Sequence, residues 1–137
     1  MKDAPIVYLA CPYAHAEREI MKYRYDTANR AAAKLMDAGI VVFSPLSHSV
    51  PIAEILGDRP HEFWMKMDLP LLHLCDEILV LRLPGWQNSL GVIDEMFAAM
   101  ADRKPITLIE EADIDVLPEI RAASSQYLRS AIFKEKK

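Results

Sequence analysis

Cysteine is scarce in this chain of 137 residues: Cys11 and Cys75 are its only two, and they form no CxxC pair. A disulfide framework is therefore not expected, and His15, His48, His61 and His73 lack zinc-ligand spacing, so no structural metal is expected either. No run approaches the ~18 apolar residues of a spanning helix. The amino-terminal stretch MKDAPIVYLACPYAH is broken by Pro12 and His15 too soon for a signal peptide, which makes the cytoplasm the expected address. Positive charge is also in short supply, with 16 Lys and Arg against 20 Asp and Glu and a net charge of -4. That balance offers no broad attraction to a nucleic acid polymer, although a small anion can still bind locally. Repeats and low-complexity tracts are missing; only the tail KEKK (Lys134 to Lys137) reads as frayed.

What is present is an ordinary globular composition, 52% hydrophobic and 26% charged. A domain of ~150 residues buries about 68–70% of its unfolded surface, enough for a core without staples. One domain over residues 1–137 is expected.

Ile6 to Ala10 (IVYLA) reads as a buried strand and Glu17 to Asp37 as a helix stopped by Gly39. Ile40 to Phe43 is a second strand. The segment from Ser44 to Pro60 reads as a long loop, a candidate lid, with one helical turn at Ile52 to Leu56. His61 to Leu74 is helical but interrupted around Pro70, because proline lacks the N–H and disfavours αR at the residue before it. Glu77 to Leu83 is a third strand, Leu90 to Asp102 a helix, Ile106 to Ile109 a fourth strand and Pro118 to Phe133 a final helix. Apolar strands alternating with helices predict an α/β fold, a flavodoxin-like (Rossmann-like) doubly wound parallel sheet of order 2-1-3-4. Its ligand crevice falls where strand order reverses, between strands one and three.

The segment after strand three, Pro84-Gly85-Trp86-Gln87-Asn88-Ser89-Leu90-Gly91-Val92-Ile93-Asp94-Glu95, runs from a loop into a helix. Free N–H groups and the positive dipole end suit that start to phosphate, with the Ser89 hydroxyl as an added donor. Gly91 lies one turn before Glu95 on the same face, and its missing side chain leaves room for a sugar over the carboxylate. The plain alternative is that Ser89 only caps, Gly91 only packs and Glu95 is a solvated acid. Asp94 is turned ~100° away and is a poor rival. Tyr8, inside strand one, can reach the crevice and hold the carboxylate, or be an ordinary strand tyrosine. Asp68 is a helix-cap or a catalytic acid. His15, Arg18 and His48 lie near the expected rim, and Trp86 can stack on a base or pack under its own loop.

These residues resemble the nucleoside 2-deoxyribosyltransferase superfamily, most closely a bacterial family within it known as a domain of unknown function. The likeness runs over about Ile6 to Ile109. It is carried by Val7-Tyr8-Leu9-Ala10-Cys11-Pro12-Tyr13, by Asp68 eight residues before Asp76, and by Leu83-Pro84-Gly85-Trp86 followed by Ser89-x-Gly91-x-x-x-Glu95. The resemblance implies Glu95 as the nucleophile on C1′ of the sugar, Tyr8 as its orienting partner and Asp68 as the acid assisting departure of the base. It implies a glycosyl-ester intermediate, as in retaining glycosidases, and no metal or redox cofactor. Ser89, Gly91, Cys11, Pro12, Arg18, Trp86 and His48 are the candidate substrate-binding positions.

Ser89 stands where the transferases carry aspartate and is similar to the serine of the deoxynucleoside 5′-monophosphate N-glycosidases, where it meets phosphate. This directs the expectation toward hydrolysis of a nucleotide, since a hydroxyl donates to phosphate and a carboxylate repels it. The glycosidases' glycine- and arginine-rich loop is replaced here by Cys11-Pro12-Tyr13-Ala14-His15. The alternatives are a deoxyribosyltransferase, a phosphoribohydrolase of the cytokinin-activating type, and a nucleotide sensor without turnover. A homodimer or higher homo-oligomer is also implied, with Ser124, Ser125, Gln126 or Tyr127 of a neighbour completing the site.

Overall fold

Apolar runs too short for helices, each followed by a helix, can bury both faces only in a parallel sheet. The computed structural model, which describes residues 4–121, has that architecture. Its elements are β1 (Ile6–Ala10), α1 (Arg18–Asp37), β2 (Val41–Phe43), α2 (Pro45–Leu56), α3 (His61–Leu74), β3 (Glu77–Leu81), α4 (Leu90–Ala101) and β4 (Ile106–Ile109). The strands lie in the order β2-β1-β3-β4, all parallel. Tyr8 pairs with Phe43 on one side and with Ile78 on the other.

Alternation along β1 and β3 splits the core in two. Val7, Leu9, Leu79 and Leu81 pack with Ala28, Ala31 and Leu35 of α1, whereas Tyr8, Ala10, Ile78 and Val80 pack with Leu72 of α3 and with Val92 and Ala99 of α4. Each fully buried Val, Leu or Ile contributes about 1.5–3 kcal/mol relative to exposure. Glu77 opens the fully buried β3 and is held by Arg121, whose Nε and Nη2 donate to its two carboxylate oxygens at 3.0 and 2.9 Å.

Two sequence expectations need correction. The expected loop and lid after β2 is the helix α2, with Pro45 in its first turn, Pro51 inside it and Gly57 (φ +81°) ending it. Proline's fixed φ favours a first turn, and Pro51 lies on an exposed face where water can take over the carbonyl bond it forgoes. Helix α3 likewise runs without a break through Pro70. Lys66, whose carbonyl the missing N–H would have met, is exposed together with Pro70, and Lys104 Nζ caps the far end by donating to the carbonyls of Leu72 and His73 at 2.8 and 2.6 Å.

Smaller differences lie at element ends. Strand β3 stops at Leu81 rather than Leu83, and a 3-10 stretch, Glu111–Val116, precedes the helical turn at 117–121 where the last helix was expected at Pro118. The rest of that helix, with Ser124, Ser125, Gln126 and Tyr127, lies outside the described residues. No helix among the described residues is long and apolar enough to cross a membrane.

Candidate active site

The switch point between β1 and β3 collects the candidate residues at the carboxyl ends of the strands. Ser89, extended at φ -77° and ψ 115°, caps α4, its Oγ accepting from the Val92 N–H at 3.3 Å. The capping role is therefore real, and it leaves the hydroxyl proton free to donate. Two turns of helix place Glu95 against the sheet, where it is only 5% exposed. The Tyr8 hydroxyl, fully buried on β1, donates to Glu95 Oε2.

The other carboxylate oxygen faces the gap left by Gly91. A Cβ built on Gly91 would stand 3.9 Å from Glu95 Oε1, 3.7 Å from Met65 Cε and 4.0 Å from Ser89 Oγ. One oxygen is thus held by Tyr8, and the other borders a small space walled by Met65 and Ser89. Met65 was not among the sequence candidates. Its signal was its place three residues before Asp68, on the same face of α3.

Burial raises Glu95 to about 8, with Asp68 and Asp94 pushing the same way and the Tyr8 hydrogen bond opposing. Asp68, 8% exposed, is raised to about 6 by burial, with the His48 side chain lowering it. Tyr8 is pushed far above the ordinary phenol range by burial and by the neighbouring Glu95 and Asp68. Tyr8, Asp68 and Glu95 therefore act on one another electrostatically. Perturbed carboxyls with opposed causes in one crevice are the arrangement expected of acid–base chemistry. Asp94 is occupied elsewhere, 2.7 Å from Nε2 of His61.

The remaining candidates lie on the loops after β1 and β3 and on α1 and α2. Cys11 and Pro12 are buried at the end of β1, the Cys11 thiol donating to the carbonyls of Pro12 at 3.4 Å and Arg24 at 3.5 Å. Burial pushes that thiol up to about 12, so it is no nucleophile at neutral pH. His48 is exposed on α2, its ring 6.2 Å from that of Phe43. Trp86 is half-buried against the cluster containing Tyr8, with the Arg82 guanidinium 5.5 Å from its ring centre. Arg18 is exposed at the start of α1, and no described contact joins it to Glu95, Tyr8 or Asp68. His15 accepts a backbone bond from Glu17 at 2.9 Å.

Sequence reasoning also missed Arg24, which is 6% exposed and hydrogen-bonded to both loops of the crevice. The signal was its place on the stripe Arg24, Thr27, Ala28, Ala31, Ala32, Leu35, where every other member is small or apolar. Among the described residues, no group of three or more His, Cys, Asp and Glu side chains could hold a metal ion.

This architecture is the fold of the nucleoside 2-deoxyribosyltransferases. A solved 2-deoxyribosyltransferase from the psychrotolerant bacterium Bacillus psychrosaccharolyticus is similar at 23% identity with a TM-score of 0.52, over 77% of this chain and 72% of that one. Among curated proteins, no sequence match is found. The family described as "Domain of unknown function (DUF1937)" matches residues 5–111, and the chain belongs to it.

Proposed function

We propose that this protein is an enzyme that cleaves the N-glycosidic bond of a (deoxy)nucleoside 5′-monophosphate or a related nucleotide. The observation that carries the reading is the division of labour on Glu95: Oε2 is fixed by the Tyr8 hydroxyl, and Oε1 borders the small space over Gly91 walled by Met65 and Ser89. In that space Oε1 attacks C1′ of the sugar and forms a glycosyl ester. The C1′–N bond breaks, its electron pair leaves with the base, and protonated Asp68 supplies the proton. Water then attacks C1′ as the Asp68 carboxylate takes its proton, the ester bond between C1′ and Oε1 breaks to return the Glu95 carboxylate, and the sugar phosphate leaves with retained configuration.

Ser89 supports a phosphorylated substrate, because a helix start with a free hydroxyl proton suits an anion. The similar structure from Bacillus psychrosaccharolyticus, a 2-deoxyribosyltransferase suited to the synthesis of nucleosides, favours a second reading in which another base rather than water accepts the sugar. The two readings share the first step and differ in the acceptor.

The test is base release from deoxynucleoside 5′-monophosphates under single-turnover conditions, with and without a second free base. Wild-type protein should release base, and Glu95→Gln should lose orders of magnitude in rate while keeping ligand affinity, because the charge it removes acts mainly in the transition state. Near-normal chemistry in Glu95→Gln would rule out the glycosyl ester. A new nucleoside 5′-monophosphate formed only with the second base present would decide for transfer.

A further inference from the structure

On the buried stripe of α1, Arg24 is the one member that carries a full charge. Burying a guanidinium is costly unless its donors are met, and an ion pair is the usual remedy. Among the described residues no carboxylate pairs with it. Neutral carbonyls take its donors instead, and they come from two different loops: Nη1 donates to Ala14 at 3.0 Å and to Tyr13 at 3.4 Å in the loop after β1, and Nη2 donates to Pro84 at 2.8 Å in the loop after β3. Gly85, at φ +87°, closes over the guanidinium so tightly that a Cβ there would stand 2.9 Å from Nη2. The Cys11 thiol, donating to the carbonyl of Arg24, ties the end of β1 to the same residue.

Those two loops are the lips of the crevice between β1 and β3. We propose that Arg24 is a positioning residue, latching one lip to the other and setting the width of the mouth through which a substrate reaches Glu95. The inference rests on the reading of that crevice as a nucleoside or nucleotide site. Arg24 acts without touching the reacting groups, since its described side-chain hydrogen bonds go to Tyr13, Ala14 and Pro84 and none reaches Glu95, Tyr8 or Asp68. A lysine cannot replace it, because one ammonium on a flexible stem does not span three carbonyls as a planar fork does.

The test compares wild type, Arg24→Ala, Arg24→Lys and Gly85→Ala, the last keeping the charge while displacing the guanidinium. In ligand-free protein, amide exchange should rise together at Tyr13–Ala14 and at Gly85–Asn88 in all three variants. With deoxyadenosine and its 5′-monophosphate as probes, kcat/KM should fall roughly 10- to 100-fold for both, as it does when positioning groups are displaced, with most of the loss in a raised KM. The change in kcat should be smaller, and the pH profile should not move. Millimolar guanidinium should restore part of the affinity to Arg24→Ala and none to Gly85→Ala. A merely structural role would lower the active fraction and leave KM alone.

Exchange rising in one lip or neither, an unchanged KM, or a loss confined to the monophosphate would overturn the latch, the last by making Arg24 a phosphate partner. Binding of neither probe by wild type would instead defeat the reading of the Glu95 crevice, and the latch would then stand or fall on the exchange data alone. Should Arg24→Ala not fold, Gly85→Ala carries both measurements.

Discussion

Tyr8 and Glu95, 87 positions apart in the chain, meet in a single buried hydrogen bond that occupies Oε2 and leaves Oε1 at the edge of the space over Gly91. Strand β1 supplies the donor and helix α4 the acceptor, so the pair exists only because β1 lies beside β3 and α4 packs back across them. The bond partly offsets the burial that drives Glu95 toward its neutral form.

The pH dependence follows from two raised carboxyls. Chemistry as proposed needs Glu95 ionised and Asp68 protonated, although Glu95 stands at about 8 and Asp68 at about 6. As pH rises, kcat/KM should climb to about 6, stay level, and fall above about 8, because the small population with both groups in the needed state is largest in between. Asp68→Asn should remove the alkaline fall. Tyr8→Phe should move the upper limb to higher pH, since the hydrogen bond it deletes lowers Glu95. Initial rates of base release across pH 4.5–10 in the three proteins check this, and an alkaline fall that survives in Asp68→Asn would exclude Asp68 as the acid.

Stability should respond to the same carboxyl. The folded-state value of Glu95, about 8, lies above its ordinary 4.5, so the stability it contributes is complete below about 4.5 and is lost as pH rises through about 8. Relative to wild type, Glu95→Gln should gain about 2–4 kcal/mol between pH 4.5 and 8.5, because its amide does not ionise. Urea unfolding at both pH values measures the difference. Parallel stabilities would show that Glu95 is not desolvated as described.

Gly91→Ala separates folding from function. Its Cβ meets neighbours only at ordinary contact distances of 3.7–4.0 Å, and alanine stabilises a helix by roughly 0.5–1 kcal/mol over glycine. The variant should melt at or above wild type while losing affinity for nucleosides and nucleotides, since the methyl occupies the space beside Oε1. Thermal melting and ligand titration on one preparation check both halves; unaltered affinity would mean that the sugar lies elsewhere.

Ser89→Asp exploits the double role of the cap. Aspartate caps a helix about as well as serine, so the Val92 N–H keeps an acceptor and stability should change by less than about 0.5 kcal/mol. Against a phosphate, however, the carboxylate repels where the hydroxyl donates, and a hydrogen bond to a charged oxygen is worth about 1.5–3 kcal/mol. Affinity for the 5′-monophosphate should fall by more than tenfold with the nucleoside spared. Calorimetric titration of both ligands decides it, equal losses pointing away from phosphate at this helix start.

Legibility in the sequence tracked the range of the interactions. Strands β1 and β3 were readable because their apolar runs are buried on both faces, and with alternating helices they led to the order β2-β1-β3-β4. The Gly91–Glu95 relation was readable because a helix fixes i and i+4 on one face whatever surrounds it. Helix α2 was not, because Pro45 and Pro51 carry a local signal against helix that an allowed first turn and an exposed face outweigh.

By itself, then, the sequence determined what repeats along the chain: which segments are strands, which faces of helices are apolar, and which carboxylate stands over a missing side chain. Tertiary structure alone decided what meets across the sheet: that Tyr8 donates to Glu95, that Met65 walls the Gly91 space, and that Asp94 belongs to His61. It also decided that Arg24, out of place on an apolar stripe, is satisfied by the carbonyls of two loops. The physical reason is that helix and strand periodicity is set within a few residues, whereas the partner of a buried polar group is set by which distant backbone and side-chain atoms the packed elements bring within hydrogen-bond distance.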